Sequence, residues 1–493
     1  MKPMPVTTSI ADIPTISVDF LDPRFAADPY PALEEIRAVG PIVRNERSGY
    51  LMLTSYADCA QVMGRAQSFA ADVEHLTALF GGTTFASLSG ARHRQLKGIW
   101  APAFQRKSLA ATYPELIRQV IVDRAADSIA RLRAGETVDI AEGFVRAIPA
   151  VVIASMLGVP SADIPDFVRW SDEMGHILEN RDDPSTHGRA LVAQGKQATD
   201  NLNRYMAAVI DERRDRPGGD LVSQIAVSEV PMTEAEVVAA TTQLVFAGNE
   251  TTAKLMGHCL VTLAAHPGQR EVLRQNRDLL PQAIEEVHRW SSVKVATLRF
   301  VREEQVQVAG HELAEDTTIM ALPAAGNRDP QRWERADAFD INRPRLAHLG
   351  FGVGPHACLG LNLARLEVEI LLNHLPRPEP GPARGRDPAE PPSGRDPGLA
   401  GAAGRLRRQL DGARPRGDRC RAGKRQGRTA MKINVDTGKC IGSGACVVAC
   451  EEVFGLDDDG VVVVLQSNPP AELRERVHEA AEACPAEVIE TTD

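Results

Sequence analysis

The sequence predicts a mainly helical domain with a small β-sheet, followed by a linker and a second, smaller domain. Apolar residues recur at three- and four-residue spacing in long stretches, which predicts helices. These stretches are 113–134, 200–214, 233–265 and 361–374. Short β-rich segments predict strands at 42–45, 50–53, 306–308 and 317–321. Composition changes near residues 376 and 431, so we expect three segments: 1–375, 376–430 and 431–493.

The middle segment, 376–430, is dominated by Arg, Gly, Pro, Ala and Asp. It contains 13 Arg and three Leu but no Val, Ile, Phe, Tyr, Trp or Met. Such a segment cannot bury enough apolar surface to offset the entropy of ordering its backbone, so we expect disorder. Its net charge is +8, against −9 for 431–493. Because the basic stretch has no aromatic residues to stack on bases, we expect no nucleic-acid binding.

The N-terminus and the cysteines indicate the compartment. The first 20 residues lack a basic start followed by an apolar core, and no run of 18 apolar residues occurs. We therefore expect a soluble, cytoplasmic protein without a membrane anchor. The chain has eight cysteines, four of them at 440, 446, 450 and 484. This spacing favours metal ligation in a reducing compartment over a disulfide framework.

A glycine-rich loop carries the sharpest signal for chemistry. The run Phe351-Gly-Val-Gly-Pro-His-Ala-Cys358-Leu-Gly360 leads directly into a helical pattern that begins near Leu361. Glycines let the backbone approach a flat macrocycle closely and adopt positive φ. A sulfur just ahead of a helix lies where N–H groups and the helix dipole stabilise a thiolate. On iron, a thiolate favours O–O cleavage, so we predict that Cys358 is a haem ligand.

This loop resembles the haem-binding signature of the cytochromes P450. The matching positions are Phe351, Gly352, Gly354, His356, Cys358 and Gly360. Glu286 and Arg289 resemble the family's Glu-x-x-Arg element, and Arg343 would complete its structural ion-pair triad. The resemblance extends over residues 20–375. It implies the cytochrome P450 fold, mainly α with a small β-sheet, and a haem b cofactor held at Cys358, Phe351 and Gly352.

The segment Ala247-Gly-Asn-Glu-Thr-Thr252 lies inside the helix predicted at 233–265 and resembles the family's oxygen-binding element. Gly costs a helix about 1 kcal/mol relative to Ala, and Thr can bond back to the preceding turn. The resemblance implies a distorted turn that makes room for O2, with Glu250 and Thr251 relaying protons as catalytic residues. A helix kink satisfied by Thr hydroxyls is the alternative interpretation.

The resemblance also implies partners for the two haem propionates. His93, Arg299 and His356 match the family's propionate-contacting positions, and Lys97 stands where an Arg is usual. Lys pairs as a point charge and not as a fork. For each of these four residues, the alternative is a solvent-exposed base.

The cysteines of 431–493 resemble an iron-sulfur binding run. Cys440-Ile-Gly-Ser-Gly-Ala-Cys446-Val-Val-Ala-Cys450, followed by Cys484-Pro485, has Ser443 where the bacterial pattern has its middle Cys. This resembles the single-cluster ferredoxins that partner bacterial cytochromes P450. It implies a small α+β ferredoxin-like domain with a 3Fe-4S cluster on Cys440, Cys446 and Cys484; a 4Fe-4S cluster is the alternative. We interpret Cys450 as a buried core thiol, and a zinc site as the competing use of the four Cys.

Charge suggests that the two domains dock. Acidic residues near the cluster run would face a basic patch on the larger domain. The acidic residues are Glu451, Glu452 and Asp457 to Asp459, and the basic candidates are Arg94, Lys97, Arg106, Lys107 and Arg365. The alternative is a solvated acidic surface.

The resemblance implies a monooxygenase that activates O2 and oxidises, typically by hydroxylation, a small organic molecule with electrons from the fused ferredoxin. An NAD(P)H-dependent ferredoxin reductase would be a separate partner, because no dinucleotide-binding Gly-x-Gly-x-x-Gly unit is present. We expect a monomer, acting in bacterial secondary metabolism. The alternatives are a peroxide-using or isomerising haem-thiolate enzyme, and an electron-transfer or haem-binding protein without turnover.

The substrate pocket would be lined by four regions of the larger domain: 71–89, 167–179, the neighbourhood of Phe246, and 291–298. Family members continue past the helix after the Cys loop with further β structure, whereas here the pattern stops near Leu375. We hypothesise that a frameshift joined two adjacent genes, with Met431 as the start of a separate ferredoxin. A natural fusion with a disordered linker is the alternative.

Overall fold

The computed structural model describes residues 12–181, 183–344, 346–375, 431–440, 443–457, 461–484, 486 and 488–492. The segment 376–430, which we expected to be disordered, lies outside the described residues. Residues 1–375 and 431–493 are grouped in one compact unit. In the part of the chain that the structure describes, no helix is both long and apolar enough to cross a membrane.

The larger domain is mainly helical, as the apolar periodicity predicted. Its helices are α1 Pro23–Ala27, α2 Tyr30–Val39, α3 Tyr56–Gly64, α4 Val73–Phe80, α5 Gly90–Gly98, α6 Arg106–Thr112, α7 Pro114–Arg133, α8 Ala147–Met156, α9 Ile164–Glu179, α10 Thr186–Asp215, α11 Leu221–Ala226, α12 Glu234–Ala265, α13 Pro267–Gln275, α14 Leu280–Trp290, α15 Pro323–Gly326 and α16 Leu361–His374. The helix predicted at 361–374 coincides with α16, and that predicted at 233–265 begins one residue before α12.

Helix α12 forms the centre of this domain. Its start is fixed by a capping box, in which Thr233 Oγ1 accepts from the Glu236 amide and the Glu236 carboxylate accepts from the Thr233 amide. Along its 32 residues it packs against α8, α9, α10, α14 and α16. Because helices pack around it, α12 has buried residues from Val237 to Leu263. These residues do not form a single apolar stripe along one face of the helix.

A six-stranded sheet lies beside the helices, in the order β1-β2-β3-β8-β5-β4. Its strands are β1 Thr15–Ile16, β2 Ile42–Asn45, β3 Leu51–Leu53, β4 Phe69–Ala70, β5 Thr297–Val301 and β8 Thr318–Ala321; β6 Gln305–Val308 and β7 His311–Ala314 form a separate hairpin. The predicted strands are present. The strands β1, β4, β5 and β7 were not predicted, because each is recognised mainly by the partner with which it pairs.

The C-terminal domain combines short helices with two antiparallel strand pairs. Its elements are β9 Lys432–Val435, α17 Ala445–Ala449, β10 Phe454–Leu456, β11 Val462–Val464, α18 Arg474–Ala483 and β12 Ile489–Thr492. Strand β9 pairs with β12, and β10 pairs with β11. Its core contains Val453, Phe454 and Val477, each fully buried. This small α+β arrangement agrees with the predicted fold class.

Candidate active site

The glycine-rich loop folds tightly ahead of α16. The Cys358 amide donates to the Phe351 carbonyl at 2.8 Å, which closes the loop on itself. Gly352 and Gly354 both have φ of +71°, the region that favours glycine. A Cβ at Gly354 would lie 2.6 Å from the carbonyl oxygen of Gly64 in α3, so no larger residue fits there. The sequence therefore fixes the position of Cys358 through backbone contacts.

Cys358 is accessible to solvent, although protein groups surround it. Burial raises the pKa of its thiol. A hydrogen bond from the Gly360 backbone opposes that rise, as do the cations Lys97, Arg365 and Lys294. The loop thus supplies the thiolate-stabilising groups that the sequence predicted, although burial outweighs them.

Two histidines and an arginine present unsatisfied donors near this loop. The rings of His93 and His356 lie 4.4 Å apart, centroid to centroid. Both ring nitrogens of His93, Nε2 of His356 and Nε of Arg299 are buried and have no hydrogen-bond partner among the described residues. Burial lowers the pKa of His93 to about 4 and that of Arg299 to about 10. Buried polar atoms are normally satisfied, so these donors fit the carboxylates of a bound group.

Lys97 contacts the loop itself. Its Nζ donates to the carbonyl oxygens of Pro355 at 2.6 Å and Ala357 at 2.7 Å. Two of the three ammonium protons are thereby used, which leaves one for the predicted contact with a propionate. Burial lowers the pKa of Lys97 to about 8, and the thiols of Cys358 and Cys484 act in the opposite direction. Lys97 therefore lies within electrostatic range of sulfurs in both domains.

The distal element shows one of the two expected features. Thr251 Oγ1 donates back to the Ala247 carbonyl at 2.9 Å, and Glu250 forms an ion pair with Lys254. The expected distorted turn is absent, since the described α12 runs without interruption from 234 to 265. The physical reason is that the Thr251 hydroxyl adds a hydrogen bond to the Ala247 carbonyl without interrupting the backbone hydrogen bonds of the helix. Thr251 is exposed to solvent, and Glu250 is half-buried.

Behind the loop lies a buried ion-pair triad. Arg289 binds Glu286 through two hydrogen bonds, of 2.7 and 2.8 Å. Arg343 Nε donates to the same carboxylate at 3.1 Å. Arg289 also donates to the carbonyls of Asn327 and Ala336, both at 2.8 Å. The Asp340 amide also donates to Glu286, at 3.0 Å, and the two guanidinium groups compensate the charge of the carboxylate despite its burial.

Three cysteines of the C-terminal domain lie close together. Burial, together with the charges of Cys484 and Cys440, raises the pKa of the Cys446 thiol to about 12. The Val462 amide donates to Cys440 Sγ at 3.4 Å. Cys450 is fully buried and has Glu452 and Arg476 as its charged neighbours. Within the described residues no group of three or more His, Cys, Asp or Glu side chains is arranged to hold a single metal ion.

Family models match both parts of the chain. The model "Cytochrome P450" matches residues 39–375, and the model "4Fe-4S single cluster domain of Ferredoxin I" matches residues 435–491. The chain belongs to the cytochrome P450 family. It is a cytochrome P450 monooxygenase that carries a ferredoxin domain, and its cofactors are haem and an iron-sulfur cluster.

Characterised relatives are similar along most of their length. The chain is 30% identical over 378 residues to cytochrome P450 monooxygenase PikC of Streptomyces venezuelae, which covers 74% of this chain and 87% of that protein. It is 31% identical over 375 residues to luteothin monooxygenase of Streptomyces thioluteus, covering 73% and 88%. Among solved structures, CYP109Q5 from Chondromyces apiculatus has a TM-score of 0.63 at 28% identity, covering 72% of this chain and 89% of that one.

The ferredoxin domain contacts the haem domain of this P450. Arg332 Nη1 and Glu451 Oε2 are 2.7 Å apart. Gly444 packs so closely on Ala347 that a Cβ on the glycine would lie 3.0 Å from the alanine Cβ. Val448 packs against the core of the sheet. A cavity of about 320 Å³ between the domains is lined by residues that include Arg106, Arg365, Ser443 and Gly444.

These contacts revise the predicted basic patch. Arg106 lies at the interface as expected, but Lys97 is buried under the Cys loop and Arg365 pairs with Glu285 at 2.7 Å. Neither of those two therefore offers a free surface charge. The partner of Glu451 is Arg332, which sequence reasoning missed because nothing local distinguishes it from other exposed arginines.

Proposed function

We propose that this P450 hydroxylates a small organic molecule with O2 and receives its electrons, one at a time, from its own ferredoxin domain. The observation that carries the proposal is the contact between the two domains. Arg332 of the haem domain pairs with Glu451 of the ferredoxin domain at 2.7 Å, and Gly444 packs on Ala347. Gly444 and Glu451 lie on either side of Cys446 in the sequence, so the predicted cluster-binding run lies against the haem domain.

Haem would be held by Cys358 as the iron ligand, with Phe351 and Gly352 against the ring. His93, Arg299 and His356 would bind the propionates through their unsatisfied donors, and Lys97 through its third proton. When bound, haem supplies the site at which O2 is reduced and split. The side chains around it exclude water and set the charge of the thiolate.

Glu250 and Thr251 would move protons to that site. The Thr251 hydroxyl donates to the Ala247 carbonyl and can accept a hydrogen bond through its lone pairs. Glu250, paired with Lys254, is half-buried and keeps enough contact with solvent to exchange protons with it. This acid and hydroxyl on one helical turn favour a monooxygenase over a peroxide-using or isomerising enzyme, which has no need of a relay.

We propose a 3Fe-4S cluster on Cys440, Cys446 and Cys484. Ser443 stands where a further thiolate would complete a 4Fe-4S site, and its Oγ accepts a 3.4 Å hydrogen bond from the Ala445 amide. Cys450 has Arg476 and Glu452 as its charged neighbours, whereas Cys440 and Cys484 are the neighbours of Cys446, so we leave Cys450 outside the ligand set. Electron paramagnetic resonance of the oxidised protein tests this, because an oxidised 3Fe-4S cluster gives a signal and an oxidised 4Fe-4S cluster does not.

Electrons would reach the cluster from NAD(P)H through a separate ferredoxin reductase. By analogy with the Streptomyces relatives, a natural-product pathway is the expected setting. For the segment 376–430 we retain the frameshift hypothesis, because the family match ends at 375 and resumes as a different family at 435. Resequencing the DNA between the codons for Leu375 and Met431 tests it; a frame without an apolar, strand-like continuation contradicts it.

The function is tested with the full chain reconstituted with haem. A ferrous carbon monoxide spectrum with the Soret band of thiolate ligation is expected, followed by substrate oxidation that needs NAD(P)H, a ferredoxin reductase and O2. Turnover with hydrogen peroxide alone would instead support the peroxide-using alternative. A thiolate-type spectrum without any reduction through the cluster would contradict internal electron transfer.

A further inference from the structure

Asp72 and Arg181 connect two elements that lie far apart in the sequence. Asp72 is the N-cap of α4, where its side chain accepts from the His75 amide, and Arg181 follows α9 in the connection to α10. The two side chains form an ion pair of 2.7 Å, with 14% of the aspartate and 18% of the arginine exposed. A fully exposed pair contributes little, but this one is largely withdrawn from water and is screened less by salt. The pair therefore holds the start of α4 against the end of α9.

Helix α4 covers the middle of α12. Phe80, at the end of α4, packs edge-on against Phe246 with ring centroids 6.0 Å apart, and a Cβ on Gly82 would lie 3.0 Å from the Cβ of Ala239. Phe246 precedes Thr251 by five residues, so this part of α12 leads to the proposed proton relay. The segment that contains α4 is also one of those expected to line the substrate pocket. A molecule that approaches the pocket from this side has to pass α4.

The two ends of α4 are held in different ways. At the C-terminal end, the carbonyls of Leu79 and Phe80 accept hydrogen bonds from Thr199 and Asn203 of α10, at 2.9 and 3.0 Å. These bonds fix the backbone of α4 to a long helix. At the N-terminal end, the ion pair with Arg181 joins two side chains, which can separate without a change in either backbone. The C-terminal end is therefore suited to act as a hinge and the N-terminal end to open.

Apolar side chains flank the ion pair at the surface. Val73 directly follows Asp72 and is 43% exposed, and Leu178, three residues before Arg181, is 39% exposed. One exposed apolar side chain is ordinary, whereas grouped ones are typical of places where apolar ligands bind. Two of them beside one ion pair suit the rim of an entrance for molecules with an apolar body.

We propose that the Asp72–Arg181 pair is a latch on an entrance to the substrate pocket: it closes the gap between the start of α4 and the end of α9, and its separation admits an apolar substrate. The inference rests on the proposed function and adds the control of access to it. Entry through a latched gap depends on the fraction of molecules in which the pair is broken, so removal of the pair raises the rate of entry. Molecules small enough to pass the closed gap are not affected.

Two haem ligands of different size test the latch on the full chain loaded with haem. 4-Phenylimidazole and imidazole bind iron through the same type of ring nitrogen, and stopped-flow recording of the Soret shift gives both rates. Asp72→Asn removes one charge but keeps an N-cap acceptor for α4, and Arg181→Gln removes the other charge. We expect both variants to bind 4-phenylimidazole several-fold faster than wild type and imidazole at the wild-type rate. The double variant should be no faster than the single ones, because all three lack the same pair.

Asp166→Asn is the matched control, because it breaks the exposed pair with Arg169 on α9 and should leave both rates unchanged. Equal 4-phenylimidazole rates in wild type and the single variants overturn the latch. Acceleration in only one single variant also overturns it, since the effect would then belong to that residue and not to the pair. Equal acceleration of both ligands does the same, because it indicates a loosened domain and not an opened entrance.

The ferrous carbon monoxide spectrum of the same samples reports separately on the proposed function. Absence of the thiolate-type band in the wild type overturns that function, whereas the rates of the two haem ligands still decide the latch.

Discussion

Arg332 of the haem domain and Glu451 of the ferredoxin domain form an ion pair, with 2.7 Å between Nη1 and Oε2. The arginine side chain keeps 18% of its exposure and the glutamate 56%, so the pair lies at the rim of the interface. Rim charges affect encounter and alignment more than affinity. This pair therefore offers a way to test internal electron transfer without disturbing either metal site.

Reversing one charge should slow the reduction of haem by the cluster. We expect Arg332→Glu or Glu451→Arg alone to lower that rate several-fold at low ionic strength, and the double variant to regain most of it. Stopped-flow formation of the ferrous carbon monoxide complex measures the rate. The effect should fade near 1 M salt, where the screening length is about 3 Å. Equal rates in all four proteins at low salt would contradict the docking described here.

Ser443→Cys should convert the cluster. A thiolate at this position completes the ligand set for a fourth iron, so the oxidised protein should lose its paramagnetic resonance signal and gain iron on analysis. Cys450→Ser is the matched control and should keep the wild-type signal, because Cys450 is buried in the domain core. A signal that disappears in Cys450→Ser but persists in Ser443→Cys would exchange the roles of these two residues.

Thr251→Ala should separate electron use from product formation. Without the hydroxyl, protons are no longer delivered to the position that cleavage of O2 requires. NAD(P)H oxidation should therefore continue while hydrogen peroxide is released in place of product. The ratio of product to NAD(P)H consumed measures the coupling. Thr251→Ser keeps the hydroxyl and should retain most of it. If Thr251→Ala remains coupled, the back-bonded Thr251 has only a structural role in α12.

Glu286→Gln should destabilise the haem domain strongly. The neutral amide leaves Arg289, which is almost fully buried, without its compensating charge. Removing one partner of a buried pair typically costs about 3–5 kcal/mol. Urea unfolding monitored by circular dichroism measures the loss. Glu271→Gln, in the exposed pair with Arg274, should leave the midpoint unchanged. A loss of similar size in both variants would contradict the structural role of the triad.

Stability should depend on the charge of Glu285 in acid. Burial acts to raise the pKa of Glu285, but Arg365 and His348 outweigh it and hold the pKa well below the usual range. A lowered folded-state pKa gives stability that is complete above the unfolded pKa of about 4.3 and is lost as the pH falls below it. The stability difference between wild type and Glu285→Gln should therefore be constant from pH 7 to about 5.5 and shrink below about pH 4.3. Urea unfolding at a series of pH values measures it, and a constant difference down to pH 3.5 contradicts it.

The elements that sequence predicted well carry their own signals. Helix α12 has a capping box at Thr233 and Glu236, and α16 follows a glycine-rich loop, so local residues determine where each begins. Strand β4 has only two residues and exists because it pairs with β5, which lies more than 200 residues further along the chain. Pairing of this kind leaves no local pattern, and it was missed.

The site also contains residues whose role the sequence predicted and contacts that it did not predict. Cys358 and its glycines were predicted because a thiolate near a flat cofactor needs that residue pattern. Lys97 was identified because it stands where the family usually has an Arg. Its hydrogen bonds to the carbonyls of Pro355 and Ala357 join residues about 260 positions apart, so the sequence could not predict them.

The contacts of Gly444 on Ala347, of Val448 on the sheet and of Glu451 on Arg332 occupy the haem-domain surface with the chain's own ferredoxin. If the chain is a natural fusion and its ferredoxin domain is the electron donor that we propose, a ferredoxin from elsewhere in the cell would have to displace a donor that is covalently present at a ratio of one to one. Turnover of this P450 would then be insulated from competition among cytochromes for a shared electron carrier, and the supply of the proposed reductase would become the control point.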